Sequence, residues 1–554
     1  MFFKYLLLDL DDTLYDYTYS HDKGIEKVFA ILSEHSKKSI QELTALYDLI
    51  NINLKKELSS TASSHNKSIY FKKMIEVLKL NLSLLLICEE AYWKTFYENI
   101  KCYEGVIDFI KWIKSIDIKI AIITDYETEY QIKKLKLLEL LKYIDIIVTS
   151  EEIGKEKPSS YMFLTALNKL DARPEDSIVI GDNNDKDIVG AKNLNICNFL
   201  FNKNGKNDKY IFNSWYYLHT KFIEIYKNIK ELEYISKYCG ERFDLTQAGG
   251  GNTSIKYENF MFIKASGFHL TQINKNNGYV TIDNELLEKD VYGKKTKTIF
   301  EYNVLGKLRG SIETYMHSIL KKYTIHLHPI QVNKILISKN SDEFINKFFP
   351  DSLTIEYDTP GINICNKIIE TYNQEEIIFL KNHGIIITSN SYEKIIPNLE
   401  TLLKTFEKHL DFYLCKYKFV NEISKQVNEN YENITYLCDD KVINEYLNNN
   451  KKLFLEKISF PDALIFCGLE ILFIEDLKEL QTYFAKYKEY PKVIIINNLV
   501  YIINISLQKC KDTEDVLKGN LLILDSSMEK TYLTDKEICY LNNWDAEKYR
   551  KNIS

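Results

Sequence analysis

Two sets of side chains in this chain have types and spacings suited to chemistry. The first is Glu313, His326, His328 and His383. The chain holds 10 His in 554 residues, yet His317, His326, His328 and His383 all fall between residues 317 and 383. In Tyr323-Thr-Ile-His-Leu-His-Pro329 a single residue separates two His, so on a strand both imidazoles share a face and can hold one ion. A third imidazole and a carboxylate would complete a zinc-type donor set. The second set is Asp9 and Asp11 of Asp9-Leu-Asp-Asp-Thr13, followed by Thr124, Lys157, Asp182 and Asp187. Carboxylates with a Lys and a hydroxyl suit Mg²⁺-dependent phosphoryl transfer. They supply a nucleophile, an oxygen seat for a hard cation, and positive charge to balance phosphate.

The elements that must position these groups follow from the apolar pattern. Tyr5 to Leu8, Ile118 to Ile123, Ile146 to Val148, Ile178 to Ile180 and Asn198 to Phe201 are short β-rich runs separated by helical stretches, which predicts a Rossmann-like parallel sheet covered by helices. In such a sheet the carboxyl ends of the strands line the active crevice, so Asp9, Thr124 and Asp182 are expected at one edge. The helical residues between the first two runs are too many for one crossover and predict an inserted subdomain, about 16–103. The first domain is expected over 1–204, with a polar linker at 205–228 that gives way to a helical stretch from Trp215 to Cys239. A mixed α/β domain should span 229–428 and a C-terminal α/β extension 429–554. Val493 to Ile503, broken by Asn497-Asn498, reads as two strands joined by a tight turn.

Composition narrows the function classes. With 45% hydrophobic and 27% charged residues the chain is globular material for about two to four domains. A net charge of −6 and a pI near 6.0 give no basic surface for nucleic acid. No apolar stretch reaches the roughly 20 residues of a membrane span, and the N-terminal run reads as a first strand, not a signal peptide. The 10 Cys include no CxxC pair, which fits free thiols in a reducing cytoplasm.

The aspartate, Thr124, Lys157-Pro158 and Ile178-Val-Ile-Gly-Asp182 motifs, in this order, resemble the haloacid dehalogenase superfamily of phosphohydrolases over residues 1 to about 202. That resemblance implies that Asp9 is the nucleophile forming an aspartyl-phosphate, and that Asp11 protonates the leaving group and then activates water. Thr124 and Lys157 would hold the phosphoryl oxygens. Mg²⁺ would be held by Asp9 with Asp182, supported by Asp187, and Asp11 is placed in the same metal set. The helical insertion resembles the mobile cap of the family, and an acid at position 11 favours phosphatases over dehalogenases.

The second half is similar to the class II aldolase/adducin family. The resemblance is carried by Gln247-Ala-Gly-Gly-Gly-Asn-Thr-Ser-Ile-Lys256, Ala265-Ser-Gly267, Gly310-Ser-Ile-Glu313, His326-Leu-His328 and Asn382-His-Gly384. The tail, with Phe460-Pro-Asp462, Tyr490-Pro-Lys492 and Trp544 to Arg550, is similar to long bacterial members related to rhamnulose-1-phosphate aldolases. The resemblance implies that His326, His328 and His383 bind a divalent ion, Zn²⁺ first among candidates, with Glu313 as a displaceable fourth ligand that becomes a base. Asn252, Ser254, Ser266, Gly267 and Ser311 match the phosphate-holding positions of the family, although Ile312 replaces one hydroxyl found in other members. A ketose phosphate would be cleaved or formed through an enediolate that the ion stabilises.

Together the halves imply a bifunctional, cytoplasmic enzyme acting on sugar phosphates, a homo-oligomer and by family habit a tetramer, with no nucleic-acid or membrane partner. Alternatives are a metal-dependent epimerase, dehydratase or decarboxylase in the second half, or an adducin-like binding module. His317 is expected to be structural and His409 a surface or packing residue; His269 is left open as a substrate contact.

Overall fold

The structure is a computed structural model that describes residues 3–428 and 433–542. The Trp544 to Arg550 motif lies outside the described residues. The chain divides into two compact units, Met1–Lys227 with Asn303–Lys307, and Asn228–Tyr302 with Leu308–Ser554.

In the first unit β1 (Tyr5–Leu8), β2 (Lys119–Thr124), β3 (Ile146–Thr149), β4 (Ser177–Gly181), β5 (Cys197–Phe201) and β6 (Ile211–Phe212) form a sheet in the order β3-β2-β1-β4-β5-β6. Every pairing in it is parallel. Helices cover a parallel sheet on both faces, which is why β1, β2 and β4 read as unbroken apolar runs. Leu6, Leu7 and Leu8 have no solvent exposure, and Leu7, Ala121, Ile123 and Val179 pack with Met162, Phe163 and Ala166 of the helix Ser160–Leu170.

Between β1 and β2 lies the inserted helical subdomain: α1 (Tyr17–Ser36), α2 (Ile40–Glu57), α3 (Lys67–Val77) and α4 (Leu84–Glu98). Local signals fix the starts of three of these helices. Asp16 caps α1 by accepting from the Tyr19 N–H, Ser39 and Glu42 form a reciprocal capping box on α2, and Asn66 caps α3. α1 and α4 pack closely at Gly24, where a Cβ would come within 2.7 Å of the Tyr92 ring.

Residues 205–228, expected as a linker, are instead structured. They hold β6 and the first half of an unbroken helix, Trp215–Gly240. Trp215 explains why: its ring is 1% exposed and its Nε1–H donates to the Thr13 carbonyl at 3.0 Å.

The second unit is built on β7 (Asn252–Tyr257), β8 (Phe260–Lys264), β9 (Tyr279–Asp283), β11 (Tyr323–Leu327), β12 (Leu353–Ile355), β13 (Ile377–Leu380) and β14 (Gly384–Ser389). These run in the order β9-β8-β7-β11-β14-β13-β12, antiparallel except for β12 with β13. A short strand, β10 (Asn303–Leu305), falls in the stretch grouped with the first unit. Met261, Ile263, Val280 and Ile282 face Met316, Ile364 and Ile368 across one apolar core.

The C-terminal part of this unit adds β15 (Ile434–Cys438), β16 (Leu472–Phe473), β17 (Val493–Ile496) and β18 (Leu499–Asn504), in the order β15-β18-β17-β16. The β17–β18 turn is Asn497-Asn498, both with positive φ (52° and 58°), the left-handed pair that a two-residue hairpin demands. Among the described residues all ten cysteines are free, and no helix is long and apolar enough to cross a membrane.

Candidate active sites

The strand order of the first sheet explains why its acidic groups converge. β1 lies between β2 and β4, so the residues at or just beyond their carboxyl ends, Asp9, Thr124 and Asp182, share an edge at the point where strand order changes direction. Thr13 closes the turn begun at Asp9. Its Oγ1 lies 2.7 Å from Asp9 Oδ2 and 3.0 Å from Asp182 Oδ1, and accepts from the Asp182 backbone N–H at 3.0 Å. Lys157 Nζ, 4% exposed, donates to Asp9 Oδ1 at 2.5 Å and to Asp187 Oδ1 at 2.6 Å. This lysine lies in the loop after the short helix Ser150–Ile153 that follows β3, and its N–H donates to Asp125 Oδ1 at 3.0 Å. Gly181 is required beneath: a Cβ there would lie 2.3 Å from Asp187 Oδ2.

Charge is unbalanced at this cluster. Asp9, Asp182 and Asp187 each offer an oxygen, all within 4.8 Å of one another, while Lys157 bonds two of the three carboxylates. Burial, then repulsion from Asp187 and Asp182, holds the Asp9 carboxyl well above its usual range against the pull of Lys157. Asp182 is pushed up to about 6 by burial and by Asp187. Lys157 is held well above its ordinary value; burial opposes this, but Asp187 and Asp9 outweigh it. A surplus of buried carboxylate oxygen is what a hard divalent cation neutralises, so the residues fit Mg²⁺.

Asp11 is not brought into that group. Its carboxylate accepts from Lys134 Nζ at 2.9 Å, from Gln131 Nε2 at 3.1 Å and from the Tyr15 hydroxyl at 2.5 Å. Burial alone would raise it, but Lys134 and these hydrogen bonds lower it overall, so Asp11 is held ionised. Thr124 Oγ1 accepts from the same Gln131 amide at 2.6 Å. The cluster opens into a cavity of about 190 Å³ lined from the core by Asp9, Lys157 and Asp182 and from the helical insertion by His65, Lys67 and Trp93. Thr13 ends the aspartate motif, but nothing in the sequence pattern marks its hydroxyl as the link between Asp9 and Asp182. Gln131, Lys134 and Lys67 carry no sequence signal, because each sits on a helix whose facing is set by packing.

In the second unit Asn252 on β7 is paired in register with His326 on β11, so the two point to one face. Glu313 precedes the helix Thr314–Ile319; its Oε1 lies 3.2 Å from His326 Nε2 and 3.4 Å from His383 Nε2, and its Oε2 accepts from the Asn252 amide. His328 Nε2 stands 3.0 Å from His326 Nε2. Four donors about 2.0–2.1 Å from a tetrahedral centre stand roughly 3.3–3.4 Å apart. The observed spacings fall close to that, so the set fits a zinc-type ion.

The tautomer agrees. His326 Nδ1 lies 3.0 Å from the Ile385 carbonyl, which can only accept, so Nδ1 carries a proton and Nε2 is the nitrogen turned toward the other donors. Burial, then His326 and His383, lowers His328 to about 3. Glu313 stays far below the usual carboxylate range, since His326 and His383 outweigh its burial. Backbone approach depends on Gly384, where a Cβ would lie 2.3 Å from the Leu327 carbonyl oxygen.

The expected phosphate-holding residues separate into groups. A bridge between Ala265 and Gly310, with the Ser266 N–H donating to the Arg309 carbonyl at 2.7 Å, sets the Ser266-Gly267 turn beside Ser311. Ser311 Oγ also accepts from the Glu313 N–H at 3.4 Å. Ser254 is not with them: it is 2% exposed and its Oγ lies 2.7 Å from His317 Nδ1. His317 itself is fully buried. His409 packs on the rings of Phe344 and Phe348.

An acid-tipped parallel sheet under a helical insertion defines the first unit as a phosphohydrolase-type domain, and the histidine-bearing sheet is a second domain of different class. The chain belongs, through its N-terminal part, to the haloacid dehalogenase-like hydrolases, whose family model matches residues 6–200. Residues 230–410 match the Class II Aldolase and Adducin N-terminal domain. The chain is 30% identical over 209 residues to a ribulose-1,5-bisphosphate 5-phosphatase of Halopiger xanaduensis, covering 37% of this chain and 86% of that protein. It is 27% identical over 192 residues to a glyceraldehyde 3-phosphate phosphatase of Methanopyrus kandleri, covering 34% and 79%. A solved N-terminal class II aldolase domain of a conserved protein from Thermoplasma acidophilum aligns with 21% identity and a TM-score of 0.31, over 38% of this chain and 99% of that one.

Proposed function

We propose that the chain is a bifunctional sugar-phosphate enzyme, hydrolysing a phosphate ester at Asp9 and making or breaking a carbon–carbon bond of a ketose phosphate at Glu313 and its histidines. The observation that supports this reading is the presence on one chain of two convergent donor sets of opposite character, three carboxylates of which Lys157 bridges Asp9 and Asp187, and three imidazoles of which Glu313 bridges His326 and His383.

At the first set, Asp9 attacks phosphorus, the phosphorus–oxygen ester bond breaks, and the departing alkoxide takes a proton from Asp11, which is ionised in the free site and receives that proton from the monoanionic phosphate ester on binding. Asp11 then takes a proton from water as that water displaces phosphate from Asp9. Lys134 and Tyr15 favour the ionised state of Asp11, which is the state the second half-reaction needs. Mg²⁺ would be held by Asp9, Asp182 and Asp187 and would supply positive charge to the phosphoryl oxygens.

At the second set, His326, His328 and His383 would hold a divalent ion, Zn²⁺ by the donor chemistry, which would supply Lewis acidity to substrate oxygens. Glu313 takes up the hydroxyl proton as the carbon–carbon bond breaks and returns it to the carbon that keeps the bond's electron pair. The Ser266-Gly267 turn and Ser311 receive the phosphate. Asn252 orients Glu313.

The test is a panel of ketose phosphates with wild-type, Asp9→Asn and His326→Ala proteins, assayed for inorganic phosphate and for aldehyde plus triose phosphate. Asp9→Asn should abolish only phosphate release and His326→Ala only the aldol reaction. Loss of one and the same activity in both variants would sink the two-site reading.

A further inference from the structure

Among the described cations lining the cavity of the first unit, all but one are matched by carboxylates. Lys157 binds Asp9 and Asp187, Lys134 binds Asp11, Lys186 binds Asp125 and Glu156, and His65 also lies against Glu156. Lys67 is the exception. It is 7% exposed, and the partner described for its ammonium is the Tyr70 ring, with the centroid at 5.2 Å.

Three features of its position are unfavourable to a cation. Its ammonium has been taken out of water without an ion pair. It is the first residue of α3, where the helix dipole favours negative charge, and that first turn contains no acid. It also shares the cavity with the ammonium groups of Lys134, Lys157 and Lys186; burial, then Lys134 and, from outside the cavity lining, Lys55, lowers it to about 7. All three costs fall when an anion enters the cavity beside it.

We propose that Lys67 receives a second anionic group of the substrate, so that the phosphatase site acts on a small phosphate ester carrying another carboxylate or phosphate away from the scissile one. This rests on the phosphatase reading given above. The scissile phosphate is accounted for by Lys157 and the metal-type acids at the sheet edge, whereas Lys67 enters from the helical insertion and marks the end that leaves. The cavity, at about 190 Å³, is below the roughly 300–1,000 Å³ of most ligand pockets, which restricts the carbon skeleton to a short one. Trp93 and Tyr126 supply apolar wall for that skeleton.

The test compares kcat/KM for matched esters with and without the second anion: phosphoglycolate against hydroxyethyl phosphate for carboxylate, and a sugar bisphosphate against its monophosphate for phosphate. Whichever pair shows the larger preference identifies the group. Wild type should prefer the doubly anionic member, and Lys67→Met should cut that preference by about 10- to 100-fold, chiefly through KM. Lys67→Arg, which keeps the charge, should retain most of it. Equal loss on both members of a pair, or a wild type with no preference in either pair, would overturn the assignment while leaving hydrolysis itself established. A wild type that hydrolyses none of these esters would instead remove the phosphatase reading, and this inference with it.

Discussion

Lys157 offers the sharpest energetic test of the acid cluster. It is buried between Asp9 and Asp187, at 2.5 and 2.6 Å, and all three side chains are less than a tenth exposed. Lys157→Met removes the ammonium and leaves the carboxylates facing one another. Breaking a buried pair from one side costs about 3–5 kcal/mol. For a unit of this size each kcal/mol shifts the midpoint by about 2–4 °C, so the expected fall is about 6–20 °C in the absence of divalent cations.

Tryptophan fluorescence in a Trp544→Phe background reads this unit, because the other three of the four Trp, Trp93, Trp112 and Trp215, lie in it. The deficit should widen with pH. Without Lys157 the folded carboxylates have pKa values raised above those of the unfolded chain, so their contribution is present at low pH, where they are protonated, and is lost as pH rises. Adding Asp9→Asn to Lys157→Met should recover part of the loss, since one of the opposed charges is gone. A fall below about 3 °C at pH 8, or a deficit that shrinks between pH 5 and pH 8, would show that the three groups are not coupled as the geometry requires.

His326→Ala should reduce bound transition metal, measured by mass spectrometry after gel filtration, from about one ion per chain to less than a tenth of that, while the first-unit melt stays in place. Gly384→Ala sets a methyl 2.3 Å from the Leu327 carbonyl oxygen; the β11–β14 pair must separate, destabilising the second unit by about 1–3 kcal/mol and lowering its metal content, and an unchanged calorimetric transition would refute this. Asp182 is raised to about 6 in the folded chain, so its contribution is present at low pH and lost as pH climbs through 6. In chelator, the stability of wild type relative to Asp182→Asn should therefore fall by about 1–3 kcal/mol between pH 4 and pH 7, measured by urea denaturation at each pH.

What is legible in the sequence is whatever depends on local pattern. The runs ending at Leu8, Ile123 and Ile180 are unbroken because helices cover both faces, so their termini, and Asp9, Thr124 and Asp182 with them, can be placed from the residues alone. The two Asn at 497 and 498 announce a hairpin for an equally local reason. His326 and His328 follow from strand alternation, but the same alternation cannot distinguish Asn252 from Ser254, which also share a face. Asn252 meets Glu313, while Ser254 lies under His317, and only the packing of the helix Thr314–Ile319 decides that. Lys134, Gln131 and Lys67 are invisible because helix facing is a tertiary property. Asp11 reads as one of the metal acids only while its partners Lys134 and Gln131 are unknown.

The two donor sets differ in the charge that stands beside them, a cation at the acids and an anion at the imidazoles, so a metal ion would affect them differently. In the acid cluster the counter-charge is Lys157, itself a cation, so an entering divalent ion would compete with it for Asp9 and Asp187 and the lysine would shift toward the cavity. There it would become available to phosphoryl oxygen. In the histidine cluster Glu313 is an anion already within 3.2 and 3.4 Å of two imidazole nitrogens. On the function proposed above, an entering ion would join Glu313, and a substrate oxygen competing for the ion would release the carboxylate. Phosphate binding at the first site would then couple to metal arrival, and release of the base at the second to substrate arrival. Metal titration monitored separately at each unit should show Lys157→Met tightening the divalent-ion affinity of the first, because a competitor is gone, and Glu313→Gln weakening that of the second, because a ligand is gone. Affinity changes of the same sign at both sites would contradict this account.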